Sequence, residues 1–252
     1  MVPNIENAGK GIMYFAAVME SVDIILPAYN PLPGWEDNVI ARFKSLQDQL
    51  PSFGLNLIIV NDGSSKMDEA LCLPKLQAGI KNFLWVSYPV NRGKGFALRE
   101  GVKLSESDLI VYTDIDWPYE ESSMTGLITK MSSGSDVVIG IRNEEYYTHL
   151  PPARRRISRM LRKFNAALLR LKVDDTQAGL KGFRKELKSD FLSTTIDRYL
   201  FDLEFIYRIS RQKEITIIGY PISLREGITF STMNRKILMQ EARNFLRIWL
   251  RS

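Results

Sequence analysis

The chain has 252 residues, of which 45% are hydrophobic and 25% are charged, a composition typical of a globular protein with one large core or two small ones. The single cysteine, Cys72, excludes an intrachain disulfide, and the single histidine, His149, excludes a zinc site built from several histidines and cysteines and disfavours a Ser-His-Asp triad. The net charge of +5 favours an anionic partner such as nucleotide phosphates, nucleic acid or lipid headgroups.

The N-terminal segment KGIMYFAAVME is faintly like a signal peptide, but its apolar part is short. We therefore expect residues 1–20 to be an extension, with Met19 a plausible initiator. No apolar run of the sequence reaches the roughly 18 residues that a membrane-spanning helix needs. We expect one domain over residues 21–232 and a separate amphipathic helix over residues 233–252.

Five apolar segments rich in β-branched residues predict strands, and helical patterns separate them. The strand segments are VDIILPAY, LNLIIVND, FLWVSYP, DLIVYTD and DVVIGIR, and helices are predicted near residues 36–50, 67–79, 94–104 and 121–132. This alternation predicts an α/β fold, a mostly parallel, Rossmann-like sheet with helices on both faces. Because ligands bind such sheets at the carboxyl ends of the strands, we expect the site there.

The loops after the second and third strands carry residues suited to a nucleotide. The second strand ends in VNDGSS, where Asp62 can accept hydrogen bonds from a nucleobase or ribose, or can close an Asx-type turn without a ligand. The third strand is followed by NRGKGFALREG, which places Gly93 and Gly95 around Lys94 at the start of a helix. Unencumbered amides, a helix N-terminus and an ammonium group could together face phosphate there.

The fourth strand runs into TDIDWPYE, so Asp114 and Asp116 stand where the sheet meets solvent. Two carboxylates separated by one residue, beside a phosphate-binding loop, suit Mg²⁺ or Mn²⁺, hard cations that bridge diphosphate oxygens. The alternative is a helix-capping turn without a metal. The neighbouring loops favour the metal site.

The motifs DIILPAYN, VNDGSS, NRGKGFALREG, TDID and DTQAGLKGFRKE, in this order within residues 22–226, resemble those of family 2 glycosyltransferases with the GT-A fold. The resemblance is greatest to the branch of dolichol-phosphate mannose synthases and polyprenyl-phosphate hexosyltransferases. It implies that a hexose is transferred, with inversion, from a UDP- or GDP-sugar to a polyprenyl phosphate.

The resemblance also implies roles for individual residues. Asp114 and Asp116 would form the DxD metal site, and Arg142, at the end of VVIGIR, would face the diphosphate. The nucleotide would be held by Pro27, Tyr29, Asp62, Gly93 and Lys94. Pro118 stands where some relatives carry a glutamine, so either the aspartates, the diphosphate and water hold the metal, or Asp114 acts partly through hydrogen bonds.

Two further segments resemble family elements, one on the acceptor side and one under the donor or acceptor phosphate. A polyprenyl phosphate is already an anion at neutral pH, so it needs no general base to attack the anomeric carbon. RYLFDLEFIYRI resembles an FDxE element and would bring Asp202 and Glu204 to the acceptor side, the alternative being two acids on the exposed face of an amphipathic helix. DTQAGLKGFRKE would bring together, under a phosphate, Gln177, Lys181 and Arg184. Lys181 could instead be a solvated strand residue.

Two basic segments predict contact with a membrane surface. Residues 154–172 carry eight arginines and lysines and no acid, with apolar residues at helical spacing. The C-terminal NRKILMQEARNFLRIWLRS repeats the pattern, with an apolar stripe of Leu238, Ala242, Phe245 and Trp249. We expect a peripheral protein on the cytoplasmic face of a membrane, although either helix could instead dock on its own sheet. No recognised nucleic-acid module appears, so nucleic acid is not the expected partner.

The prediction is therefore a metal-dependent, inverting GT-A hexosyltransferase that acts on a polyprenyl phosphate. Three alternatives stay open: a family 2 enzyme acting on a glycan hydroxyl, a sugar nucleotidyltransferase, and a non-catalytic nucleotide-sugar-binding protein. The nucleotidyltransferases normally open with a glycine-rich, arginine-containing loop, which LPAYNPLPGWED lacks.

Overall fold

The structure, a computed structural model, describes residues 19–142, 169, 171–173, 175–176, 178–226, 241, 243–246, 248 and 250. Residues 1–18, most of the basic segment 154–172, Gln177 and Trp249 lie outside the described residues, so the predictions made for them remain predictions.

The predicted strands and helices of residues 20–142 all form, with bounds within two residues of those expected. In chain order the described elements are β1 (Glu20–Ala28), α1 (Trp35–Gln49), β2 (Phe53–Asp62), α2 (Glu69–Gly79), β3 (Phe83–Tyr88), α3 (Lys94–Leu104), β4 (Leu109–Tyr112), α4 (Glu121–Ser132), β5 (Val137–Arg142), β6 (Lys181–Arg184), α5 (Lys188–Leu192), α6 (Phe201–Ser210) and β7 (Ile217–Ile222). The sequence pattern did not predict β7. Its Pro221 is tolerated because β7 lies at an edge of the sheet, where one side of the strand makes no ladder hydrogen bonds.

The strands form one sheet in the order β3-β2-β1-β4-β6-β5-β7. Every neighbouring pair is parallel except those of β6, which runs antiparallel to β4 and β5. The parallel strands therefore all end on the same side of the sheet, which we call its carboxyl edge. Strand β6 begins there, with Lys181 opposite both Tyr112 and Ile139. The mostly parallel sheet predicted from the sequence is confirmed.

Helices cover both faces of the sheet. Successive residues of a strand point to opposite faces, so each strand supplies side chains to both helical layers. Ile24 packs in the layer that contains α1, α2 and α4, whereas Ile25 packs in the layer that contains α3, α5 and α6. The second layer has an aromatic centre in which Phe191 lies between Phe183 and Phe205, with both ring-centroid distances 5.0 Å.

The described C-terminal residues dock on this second layer. Ile248 is buried and Phe245 is partly buried against the core, while the Glu241 carboxylate accepts a hydrogen bond from the Leu200 amide at 2.9 Å. Leu246 and Leu250, one turn apart, are 50% and 77% exposed. Of the predicted apolar stripe, Phe245 packs on the protein's own core, as the docking alternative expects, and Leu246 and Leu250 are the exposed apolar residues. Leu238, Ala242 and Trp249 lie outside the described residues.

Helix α3 approaches the sheet closely at Gly101. A Cβ at this position would lie 2.5 Å from Cγ2 of Ile25 and 3.2 Å from Cγ2 of Val60. Both contacts are to β-branched side chains, which have little freedom to move aside. The close approach matters for the site because α3 begins at Lys94.

We predict that Gly101→Ala lowers the free energy of unfolding by about 1–3 kcal/mol, the usual cost of overpacking a core. The matched control is Gly54→Ala in β2, where a Cβ would meet nothing within 4 Å. Urea unfolding of both variants measures the difference. Equal midpoints would show that α3 can shift away from the sheet without cost.

Candidate active site

The loops that follow β1 and β2 are joined at the carboxyl edge of the sheet. The Asn30 amide donates to Oγ of Ser64 at 2.9 Å, and Oδ1 of Asn30 accepts from the Lys66 amide at 2.9 Å. Asn30 adopts a left-handed conformation, φ 46°, which asparagine tolerates better than most residues. Just before it, Pro27 is buried in β1, while the Tyr29 side chain is exposed at the edge.

Asp62 orders the loop that follows β3. Its carboxylate accepts hydrogen bonds from the Arg92 amide at 2.7 Å, the Gly93 amide at 2.8 Å and Nδ2 of Asn91 at 2.7 Å. The side chain is buried, so these donors take the place of water. Asp62 thus joins two loops rather than closing only its own turn, and its contact with a base or ribose remains a prediction.

The amides at the start of α3 are bonded within the protein, which corrects the expectation that they are free for phosphate. Besides the Gly93 amide, the amides of Gly95 and Phe96 donate to the Asp197 carbonyl at 2.8 and 3.2 Å. The physical reason is close packing of the segment 194–197 on the start of the helix, since a Cβ at Gly93 would lie 2.5 Å from that same carbonyl oxygen. What this helix start presents to the site is the Lys94 side chain.

The Lys94 ammonium contacts one of the two predicted metal ligands. Its Nζ lies 2.5 Å from Oδ1 of Asp114, with the two side chains 19% and 40% exposed. Burial opposes the charged form of Lys94, but the carboxylates of Asp114, Asp202 and Asp116 outweigh it and raise the pKa of the ammonium. Lys94 is therefore positively charged at neutral pH.

The turn that carries Asp114 and Asp116 is stabilised by hydrogen bonds to its backbone carbonyls. The Trp117 amide donates to the Asp114 carbonyl at 3.0 Å, and Trp117 itself is fully buried in a left-handed conformation, φ 51°. Nδ2 of Asn38 donates to the Asp116 carbonyl at 3.1 Å, and Arg225 donates to the Trp117 carbonyl at 2.8 Å. Neither support is predicted by the sequence pattern. Arg225 follows the unpredicted strand β7, and Asn38 lies within an amphipathic helix where nothing distinguishes it.

The two aspartates repel one another. Removal from water and the neighbouring Asp114 carboxylate raise the pKa of Asp116. A Cβ at Gly179 would lie 2.4 Å from Oδ2 of Asp114, so a larger residue there would displace this carboxylate from its position. Among the described residues no three His, Cys, Asp or Glu side chains come together, and a cation at this pair would take its other ligands from a substrate or from water.

Lys181 and Asp202 form a buried ion pair beside this turn. Nζ of Lys181 donates to Oδ2 of Asp202 at 2.8 Å and to the Ala178 carbonyl at 2.5 Å, and the Tyr112 hydroxyl donates to Oδ1 of Asp202 at 2.5 Å. Burial lowers the pKa of Lys181, although Asp202 acts against this. Lys181 is only 1% exposed and Asp202 only 7%. The alternatives of a solvated strand lysine and of an aspartate on an exposed helix face are both wrong.

Glu204 faces the segment that caps α3. Its carboxylate accepts from the amides of Thr195 and Ile196, both at 2.8 Å, and from the Thr195 hydroxyl at 3.0 Å. Because Asp197 in the same segment holds the start of α3, Glu204 positions the helix that carries Lys94. Its burial also contradicts the exposed-face alternative.

The two predicted arginines lie apart. Arg142 lies at the carboxyl edge, at the end of β5. It forms a bidentate ion pair with the fully buried Asp175, through Nε at 2.9 Å and an Nη at 2.8 Å. Arg184 pairs with Leu109 at the opposite edge and donates to the Met131 carbonyl at 2.7 Å. A strand rises about 3.3 Å per residue, so the expectation that Lys181 and Arg184 lie together is wrong.

Comparison with known proteins gives a consistent assignment. The family model described as "Glycosyl transferase family 2" matches residues 23–191. A dolichyl-phosphate beta-glucosyltransferase of Trichomonas vaginalis is 26% identical over 236 residues, which cover 90% of this chain and 72% of that protein. The dolichyl-phosphate beta-glucosyltransferase of Homo sapiens is 27% identical over 202 residues, which cover 75% of this chain and 62% of that protein.

Among solved structures, a mannosyltransferase from Pyrobaculum calidifontis in complex with GDP-Man and Mn²⁺ matches with a TM-score of 0.55 and 16% identity. The match covers 79% of this chain and 54% of that one. At this identity the similarity bears on the fold alone, and it confirms the GT-A fold predicted from the sequence.

We predict that Lys181→Met and Asp202→Leu each lower the free energy of unfolding by about 3–5 kcal/mol, because each leaves an uncompensated buried charge. The double variant should lose markedly less than the sum of the two. Lys103→Met, which removes an exposed ion pair with Glu100 on α3, is the control and should cost at most about 1 kcal/mol. Chemical denaturation of the four variants measures the coupling, and strictly additive losses would contradict a direct Lys181–Asp202 interaction.

Proposed function

Because the chain belongs to glycosyl transferase family 2, we propose that it transfers a hexose from a nucleotide diphosphate sugar to a polyprenyl phosphate. The names of the relatives, dolichyl-phosphate beta-glucosyltransferases, support glucose as the hexose and a dolichyl-type lipid as the acceptor. Family membership weighs against a sugar nucleotidyltransferase.

One observation carries the choice of a phosphate acceptor over a glycan hydroxyl. The carboxylates of Asp62, Asp202 and Glu204 are each held by two or more donors from the protein. A hydroxyl acceptor needs a general base, and a carboxylate tied up in this way is a poor one. An acceptor phosphate is itself the nucleophile and needs none.

On the donor side, Asp114 and Asp116 would hold Mg²⁺ or Mn²⁺, and two adjacent carboxylates whose repulsion raises the pKa of Asp116 fit a cation there. When bound, the cation would neutralise charge on the departing nucleoside diphosphate. Pro27, Tyr29 and the loop ordered by Asp62 would hold the base and ribose, and Arg142 would face the diphosphate.

On the acceptor side, a phosphate oxygen attacks the anomeric carbon from the face opposite the leaving group, so the configuration inverts. Lys181 and Asp202 act in this proposal as positioning residues, because their paired charges fix the wall of the site next to Asp114. Positioning and charge neutralisation then supply most of the rate enhancement.

We predict that the purified full chain with Mn²⁺ transfers hexose to a short-chain polyprenyl phosphate from UDP-glucose or GDP-mannose, and that Asp116→Asn reduces the rate at least about a hundredfold. The change is nearly isosteric, so folding should be retained. Asp48→Asn, an exposed carboxylate on α1, is the matched control. Radiolabelled transfer to the lipid, separated by chromatography, measures the product.

Three outcomes would separate this proposal from its rivals. Donor turnover only with a soluble glycan would favour a hydroxyl acceptor. Nucleotide binding without any turnover would indicate a non-catalytic protein. Near-normal transfer by Asp116→Asn at saturating Mn²⁺ would contradict the metal assignment.

The lipid acceptor requires the protein to reach a membrane, and we propose peripheral contact through the C-terminal segment on the cytoplasmic face. Among the described residues no helix is both long and apolar enough to span a bilayer. The exposed pair Leu246 and Leu250 faces away from the core, with Arg243 exposed nearby. Such a surface can enter the headgroup region while the arginine contacts anionic lipid.

We predict that the full chain binds anionic vesicles in a salt-sensitive manner and that the double variant Leu246→Ser/Leu250→Ser weakens binding at least about tenfold, because each buried leucine contributes about 1.5–3 kcal/mol. Leu71→Ser on α2, where the leucine is 74% exposed, is the control for nonspecific hydrophobic adsorption. Phe245→Ser should instead lower stability. Co-sedimentation with vesicles measures binding, and equal binding by all variants would remove this segment from the membrane contact.

A further inference from the structure

The Lys94 ammonium forms an ion pair with Asp114, one of the two carboxylates that the proposed metal site needs. Its Nζ is 2.5 Å from Oδ1 of Asp114, and electrostatic attraction from Asp116 and Asp202 also reaches it. A lysine ammonium is a compact point charge on a flexible stem. Lys94 therefore supplies Asp114 with a positive charge of the protein's own, at a carboxylate that a divalent cation would also need.

The backbone on both sides of Lys94 is closely packed against the segment 194–197. Gly93 has a left-handed φ of 110° and packs on the Asp197 carbonyl, and a Cβ at Gly95 would lie 2.5 Å from the Ile196 carbonyl oxygen. Both neighbours of Lys94 are thus pressed against one segment of chain. Any change of partner at Lys94 must come from rotation of its side chain.

The charges around Lys94 are balanced before any ligand binds. Three cationic side chains, Lys94, Lys181 and Arg225, act on or contact three anionic ones, Asp114, Asp116 and Asp202. Their formal charges cancel. A divalent cation bound alone would leave two surplus positive charges beside the ammonium, whereas a nucleoside diphosphate bound with it would remove that surplus.

We propose that Lys94 is an internal counter-ion of Asp114 that disfavours binding of a free divalent cation and that transfers to the donor diphosphate when cation and donor arrive together. This inference rests on the proposed function, since it takes Asp114 and Asp116 as the cation ligands. It makes cation and nucleotide binding mutually dependent. By linkage, each tightens the affinity for the other by the same factor.

The test is a Mn²⁺ titration followed by electron paramagnetic resonance, which counts free Mn²⁺ and needs no turnover. Without nucleotide, Lys94→Met should bind Mn²⁺ about two- to fivefold more tightly than the wild-type chain, because the Asp114 carboxylate no longer has to give up an ion pair. Lys94→Arg, which keeps the charge, should not. The control Lys103→Met lies on the same helix in an exposed ion pair and should leave Mn²⁺ affinity unchanged.

A second arm repeats the titration with saturating UDP or GDP. The higher Mn²⁺ affinity of Lys94→Met should then vanish or reverse, because the wild-type ammonium has moved from Asp114 to the diphosphate. A gain of the same size with and without nucleotide would indicate only long-range repulsion and would overturn the proposal, as would Mn²⁺ affinity unchanged by Lys94→Met in the absence of nucleotide.

A third arm separates this failure from failure of the metal site itself. Asp114→Asn in the Lys94→Met background should abolish the gain. If Asp116→Asn leaves Mn²⁺ binding in the presence of nucleotide unchanged, the proposed function loses its metal site. If that variant abolishes binding while Lys94→Met has no effect, only the counter-ion role of Lys94 is wrong.

Discussion

The buried pairing of Lys181 with Asp202 is the interaction on which the arrangement of the site depends. It joins the sheet to α6, because Lys181 opens β6 and Asp202 lies in the first turn of the helix. Two charges removed from water at such depth are tolerated when they are paired and hydrogen-bonded, and the Ala178 carbonyl and the Tyr112 hydroxyl add one bond each to Lys181 and Asp202. The pairing thereby sets where α6 begins.

From α6 the positioning continues to the metal-binding turn through direct contacts. Glu204 holds the segment at Thr195, the following Asp197 carbonyl caps the start of α3, and Lys94 at that start meets Asp114. Each of these contacts is a hydrogen bond or an ion pair within the protein, so the charged groups are oriented before a substrate arrives. Such preorganisation lets fixed charges stabilise a developing anion without reorganising during the reaction.

The comparisons bear out the resemblance that the motifs indicated. The family match begins at the first predicted strand and extends through α5, and the GT-A fold follows from the structural similarity. Polar residues follow four successive parallel strands, at the edge where open α/β sheets bind their ligands. The roles of individual residues rest instead on the contacts described above and on the experiments proposed for them.

The sequence by itself determined the alternation of strands and helices, the edge at which the loops meet, and the aspartate pair, because hydrophobic periodicity and turn residues are local signals. It could not place Arg184 at the far edge or Phe245 on the core, since those positions depend on the direction of β6 and on docking of distant segments. Nor could it show that the Asp62 carboxylate and the amides at the start of α3 form hydrogen bonds within the protein. Only the tertiary structure decides which donors meet which acceptors, because the partners Asp197, Asn38 and Arg225 lie far away in the chain and carry no local signal.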